Sequence, residues 1–122
     1  GSEMCIRDSG AEGGNAGGGG GGAGEAGNTD GFAAGGDGVS SNITGSAVTR
    51  GGGGSSSNAQ SPPLQPPGGE GGCAQGSINN QVDGGSGTAN TGGGGGGGYS
   101  TGGKGGAGGS GIVIVRYNIT TI

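Results

Sequence analysis

The chain has no histidine and no tryptophan, and only three aromatic rings, Phe32, Tyr99 and Tyr117, in 122 residues. Without histidine it lacks the commonest general base and metal ligand. No Ser/Lys pair stands in to activate a hydroxyl, so the sequence points to a protein that is not an enzyme and carries no cofactor or metal. Positive charge is equally scarce: four Lys and Arg stand against eight Asp and Glu, with no basic cluster. Too few phosphates could be neutralised to hold nucleic acid or an anionic lipid surface. No stretch approaches the ~18 apolar residues of a membrane span, and no apolar signal-peptide core follows the N-terminus. The four prolines are clustered at 62, 63, 66 and 67, which excludes the strict Gly-X-Y pattern of collagen.

What fills the chain is glycine, 43 of its 122 residues. Leu, Ile, Val and Phe together number only 14, too few to offset the entropy of ordering the chain with a side-chain core. Either most of the chain is disordered, or backbone hydrogen bonds and close backbone packing replace that core. No window combines helical periodicity with good helix formers, so essentially no helix is expected.

The glycines carry phase. Gly102-Gly103-Lys104, Gly105-Gly106-Ala107 and Gly108-Gly109-Ser110 are consecutive Gly-Gly-X triplets, and Gly68-Gly69-Glu70 with Gly71-Gly72-Cys73 adds two more. Gly18, Gly21, Gly24 and Gly27 also share a register of three. Three residues per turn is the period of the left-handed polyproline II helix, which has no internal hydrogen bonds. In such a helix two all-glycine faces would let neighbouring backbones approach and bond laterally while X points to solvent. The fold class expected is therefore irregular or all-β, a glycine-rich polyproline II bundle ending in a β-strand. A largely disordered chain is the alternative.

The organisation follows composition. Residues 1–9 (GSEMCIRDS) match nothing downstream and resemble the translation of a transposase-type sequencing adapter, so they are set aside as a tag would be, and the natural protein would begin further upstream. That leaves Arg50, Lys104 and Arg116 against Glu12, Glu25, Asp30, Asp37, Glu70 and Asp83, and Cys73 as the lone thiol once Cys5 is excluded. Residues 10–61 form a Gly/Ala/Ser-rich segment in which 39–50 (VSSNITGSAVTR) reads as a short strand pair turning at Gly45. Residues 62–67 form a Pro-rich surface crossover. Residues 68–122 return to glycine, pass a turn-like polar interlude (QGSINNQVDGGSGTANT), and end in the β-branched strand 112–119. Both faces of that strand are apolar, so it should be covered by glycine helices, by Val39, Ile43 and Val48, or by another subunit.

The ending Gly105-Gly-Ala-Gly-Gly-Ser-Gly-Ile-Val-Ile-Val-Arg-Tyr117 resembles the C-terminal signature of glycine-rich domains in phage tail-fibre and adhesin-like proteins and in large bacterial surface proteins. The resemblance covers Gly92 to Tyr117; upstream it is compositional. It implies a structural or receptor-contacting module of a longer extracellular, cell-surface or virion protein, with no catalytic residues to carry over.

Candidate residues are few. Gly98-Tyr-Ser-Thr-Gly-Gly-Lys104-Gly105 approaches a phosphate-binding loop but has glycine where the Mg²⁺-binding Ser or Thr must stand. Glu70 and Asp83 could form a carboxylate pair but read as solvated and inert. Asp30 and Asp37 offer weak Ca²⁺ ligands in a spacing that matches no known loop. Asn42-Ile43-Thr44 and Asn118-Ile119-Thr120 are sequons that matter only in a glycosylating host. Tyr99 is the candidate receptor contact, against a bland role capping the bundle. The leading expectation is a non-catalytic module recognising a cell-surface glycan or protein receptor, in a homo-oligomer such as a trimer. The alternatives are an ice-binding polyproline II bundle and a flexible glycine-rich tether.

Overall fold

The chain was analysed as a computed structural model that describes residues 18–57, 65–78, 83–99 and 102–120. The adapter-like residues 1–9, Pro62 and Pro63 lie outside them. Among the described residues there is no helix, and the strands are two, β1 (Val39–Ser41) and β2 (Val48–Arg50). They pair antiparallel, Val39 opposite Arg50 and Ser41 opposite Val48. The turn between them closes with the Gly45 N–H donating to the Asn42 carbonyl at 2.9 Å, and Gly45 takes the positive φ of 98° that a side chain would resist.

Almost everything else is extended backbone bonded sideways to other extended backbone. Among the described residues eight rods can be traced: rod 1 (18–24), rod 2 (33–38), rod 3 (51–57), rod 4 (66–70), rod 5 (73–78), rod 6 (83–88), rod 7 (92–98) and rod 8 (103–110). Rods 2, 3 and 7 are each entered through a left-handed first residue, Ala33, Gly51 and Gly92, with φ of 62°, 78° and 66°. Their N–H donors recur every third residue. Gly20 and Ala23 of rod 1 donate to Gly54 and Gly51 of rod 3; Gly53 and Ser56 of rod 3 to Gly36 and Ala33 of rod 2; Gly35 and Gly38 of rod 2 to Pro67 and Glu70 of rod 4. The same spacing links Gly94 and Gly97 of rod 7 to rod 3, Ala74 and Ser77 of rod 5 to rod 7, Gly84 and Gly87 of rod 6 to rod 8, and Gly106 and Gly109 of rod 8 to rod 7. A donor at every third residue, pointing in one direction, is the signature of polyproline II helices packed side by side. A β-ladder would repeat every second residue instead.

The bonds also fix direction. Rod 3 runs parallel to rod 7 and antiparallel to rods 1 and 2, since paired residue numbers keep a constant difference in the first case and a constant sum in the others. Rod 4, held parallel to rod 2 by Gly35–Pro67 and Gly38–Glu70, is therefore antiparallel to rod 3 as well. Rod 3 is the centre, with rods 1, 2, 4, 5 and 7 around it; rods 6 and 8 extend the array beyond rods 5 and 7.

This interior contains almost no side chain. Among the described residues the buried apolar side chains are those of Ala33, Ala34, Ala74 and Pro66, and the largest fully buried side chain belongs to Ser55. Ser55 Oγ donates to the Pro66 carbonyl at 2.7 Å and accepts the Gly76 N–H at 2.8 Å, stitching rod 3 to rods 4 and 5. Glycine is required because the rods touch backbone to backbone. A Cβ at Gly53 would fall on the Gly20 carbonyl, one at Gly35 on the Gly53 carbonyl, and one at Gly106 on the Gly85 carbonyl, all inside the 3.0 Å that real Cβ contacts essentially never breach.

Four expectations are corrected. The first concerns the C-terminal strand at 112–119. The described residues 111–120 carry no strand, and the segment is not covered by glycine rods or by Val39, Ile43 and Val48: Val113 is 91% exposed, Val115 78% and Ile119 76%. High β-propensity does not make a strand without a partner edge, and the last lateral bond, Gly92 N–H to Ser110 C=O, falls two residues before Ile112. Second, rod 8 packs only one glycine row. Gly106 and Gly109 face inward, whereas a Cβ on Gly105 or Gly108 would meet nothing nearer than 3.7 Å. A rod at the margin of an array has neighbours on one side only.

Third, the crossover at 62–67 is not surface linker throughout. Pro66 is buried, and the carbonyls of Pro66 and Pro67 accept bonds from Ser55 and Gly35, so these two prolines open rod 4. Proline suits that position because it is preset to the rod's φ, and only carbonyls are needed there. Fourth, the polar interlude is not all turn, because residues 83–88 form rod 6. The Gly68-to-Cys73 triplets are also interrupted: Gly71 and Gly72 take positive φ values of 113° and 84° where rod 4 turns into rod 5.

A pair of substitutions separates inward from outward glycine. Gly53→Ala is expected to destabilise by about 3 kcal/mol or more, because the atom struck is backbone and cannot repack. Gly108→Ala is expected to be neutral or to stabilise by up to ~1 kcal/mol through the less flexible unfolded chain. Thermal melts of the two variants check this.

Candidate functional site

With the interior made of backbone, side chains are available only on outward rows and at the two ends of the array. The hydrogen-bond registers place Gly24, Asp37 to Val39, Arg50, Glu70 to Cys73, Thr88 to Gly92 and Ser110 at one end. This end also carries the β1–β2 hairpin with Ser40, Ser41, Asn42, Thr44 and Ser46, and its residues 39–42 and 44–47 are exposed. The neighbouring turn is tied by Thr91 Oγ1 donating to the Thr88 carbonyl at 2.6 Å and by the Asn90 N–H donating to Ser110 Oγ at 2.9 Å. Asn90 holds a positive φ of 63°, a conformation asparagine tolerates better than most residues. The result is a rim of short hydroxyl and amide side chains on a fixed backbone.

The acidic residues gather at the same end more closely than their spacing indicated. Glu25, Asp30 and Asp37 bring carboxylate oxygens within 4.8 Å of one another. Sequence spacing points to Asp30 and Asp37 but not to Glu25, which only the pairing of rods 1 and 2 brings in. Two of the three already serve the backbone: Asp37 Oδ1 accepts the Glu70 N–H at 2.6 Å, and Glu25 Oε2 accepts the Asp37 N–H at 3.3 Å. The cluster thus fastens the turns between rods 1, 2 and 4.

Glu70 and Asp83 are engaged separately and form no pair. The Glu70 backbone binds Asp37, while Asp83 Oδ1 accepts the Lys104 N–H at 2.7 Å at the opposite end. The near phosphate-loop sequence is divided between the end of rod 7, where Tyr99 lies half-buried, and the start of rod 8, where the Gly103 N–H donates to the Tyr99 carbonyl at 3.2 Å. Tyr99 and the hairpin therefore stand at opposite ends of the array. Phe32 is exposed in the turn between rods 1 and 2, and Tyr117 is exposed on the C-terminal extension.

Cys73 is a free, half-buried thiol whose Sγ donates to the Gly69 carbonyl. Burial pushes its pKa above the ordinary value and the nearby Asp37 carboxylate adds to that, partly offset by its backbone hydrogen bond. It is held protonated and unreactive at neutral pH.

Eight backbone rods bonded laterally at three-residue intervals, with side chains confined to their ends and margins, define a glycine-rich polyproline II bundle. The chain belongs to the glycine-rich domain family, whose model matches residues 1–118. No curated protein and no solved structure matches it.

The raised thiol has a sign that can be measured. A thiol with a higher pKa folded than unfolded stabilises the fold fully below the unfolded value of 9.0 and loses that contribution as pH rises through the folded value. Denaturation midpoints between pH 7 and 10.5 are expected to fall at the alkaline end, with a shallower fall in Cys73→Ser.

Proposed function

We propose that the chain is a non-catalytic display module, a rigid glycine bundle that presents end loops for recognition on an extracellular, cell-surface or virion protein. The observation that carries this reading is the division of labour in the molecule. Among the described residues the buried interior holds only Ala, Ser and Pro66 side chains, so side-chain chemistry is placed on the hairpin 39–50, the turn 88–92 and the margins. Loops fixed on a rigid frame are where recognition residues concentrate. Short Ser, Thr and Asn side chains with little entropy to lose suit hydrogen bonding to a glycan or a polar protein surface.

The ending at Gly105 to Tyr117 supports the same setting through its resemblance to tail-fibre and adhesin-like domains. A flexible tether is disfavoured by the lateral bonding of all eight rods. An ice-binding face is disfavoured by the outward row of rod 8, which reads Lys104, Ala107 and Ser110 in place of a uniform Thr or Ala row.

A glycan array and bacterial-surface binding assay tests the proposal with the intact chain, a hairpin variant (Asn42→Ala with Thr44→Ala) and Tyr99→Ala. The hairpin variant is expected to lose at least tenfold in binding at unchanged melting temperature. Tyr99→Ala reports whether the opposite end contributes. Binding that survives both sets of changes, or no binding to any glycan or cell surface, overturns the reading.

A further inference from the structure

A polyproline II rod has three residues per turn, and each residue carries one donor and one acceptor, so a rod can bond in six directions, three donating and three accepting. Around rod 3 these directions can be assigned one by one. The carbonyls of Gly51 and Gly54 accept from rod 1; the N–H groups of Gly53 and Ser56 donate to rod 2; the Gly53 carbonyl accepts from rod 4. The Ser55 N–H donates to rod 5, and the carbonyls of Gly52 and Ser55 accept from rod 7. Going round from rod 1 the sense alternates: accept, donate, accept, donate, accept. The sixth direction, between rods 7 and 1, must donate.

Among the described residues that direction is open. A groove of about 440 Å³ runs there, with rod 3 as its floor and Gly20 and Gly21 of rod 1 and Gly94, Gly95 and Gly97 of rod 7 as its walls. The donor row that serves it is Gly51, Gly54 and Ser57. The Gly51 N–H is met at the groove's end by the Thr91 carbonyl, but among the described residues no acceptor meets the Gly54 or Ser57 N–H. Gly54 is nevertheless a buried residue, and a buried backbone donor without a partner is costly. The walls carry no side chain, so the groove matches the cross-section of one more glycine rod and offers nothing specific to a small molecule.

We propose that this groove is the docking site for rod 8 of a second copy of the chain. Rod 8 has what the position requires. Among the described residues it bonds only to rods 6 and 7 of its own bundle. Rod 8 has two outward rows, and the one without side chains is Gly105 and Gly108, continued past the rod by Gly111, where a Cβ would meet nothing nearer than 3.7 Å. The carbonyls of Gly105 and Gly108 accept no hydrogen bond among the described residues. Unused acceptors at three-residue spacing on the margin complement unused donors at three-residue spacing in the groove. Groove and margin are different surfaces of one chain, so the contact is heterologous: it closes into a ring or continues as a filament. It is independent of what the end loops recognise.

Two substitutions block the two halves of the contact where the single bundle has room. A Cβ on Gly20 points over the groove floor, 3.5 Å from the Gly54 carbonyl and 3.7 Å from its nitrogen, and Gly108 is open as described. Sedimentation velocity over a concentration series is the measurement, with the full chain, Gly20→Val and Gly108→Val, each checked for folding by circular dichroism and melting. The full chain is expected to associate as concentration rises, with exchange of the Gly54 amide slowing in parallel. Each variant is expected to remain folded and weaken association at least tenfold. A full chain that stays monomeric, association unchanged in both variants, or a Gly54 amide already protected in the monomer each overturns the proposal.

Discussion

The structure depends on one constraint: neighbouring backbones must approach closely enough for N–H to reach C=O without any atom at Cβ between them. Glycine alone permits this, and the chain supplies it at the positions where it is needed. The consequence is an interior whose cohesion is hydrogen bonding and backbone contact, with three alanines, two serines and Pro66 as its buried side chains among the described residues. Each lateral bond is worth only ~1 kcal/mol net, so order must come from many of them acting together. A methyl group at an inward glycine does more damage than its size suggests, because it separates two rods along a shared row of bonds.

The same constraint decides where chemistry can reside. A bundle without a side-chain core leaves polar side chains to the turns, and at one end these gather a hairpin, an Asn/Thr turn and the Glu25, Asp30 and Asp37 group on a fixed base. The carboxylates there brace turns, and Cys73 beneath them is kept protonated. The two roles proposed for such a surface, recognition by short polar loops and assembly through unused backbone rows, use separate parts of it.

Much of the fold was legible in the sequence. Scarcity of apolar side chains excluded an ordinary core, and the Gly-Gly-X phase at 102–110 identified the period of three. The hairpin was readable from its β-branched flanks and Gly45. Less legible was which glycines face inward. In rod 8 they are Gly106 and Gly109, and in rod 1 Gly19 and Gly22 pack against rod 2, one residue along from the Gly18/Gly21 register. Identical residues give no local signal of facing; only the pairing between distant rods decides it. The strand expected at 112–119 failed for a related reason, since Ile-Val-Ile-Val specifies extended backbone but not the partner that would make it a strand. Of the site, Asp30 and Asp37 are legible in the sequence, but Glu25 joins them only through the parallel pairing of rods 1 and 2.

Residue-resolved amide hydrogen exchange of the intact chain addresses the backbone interior most directly. The account predicts slow exchange at Gly106 and Gly109, at Gly53 and Ser56, and at Gly94 and Gly97, with fast exchange at Gly105, Gly108 and throughout Ile112 to Ile119. Protection that recurs every second residue, or uniform exchange at the rate of an unfolded chain across 102–111, would contradict it.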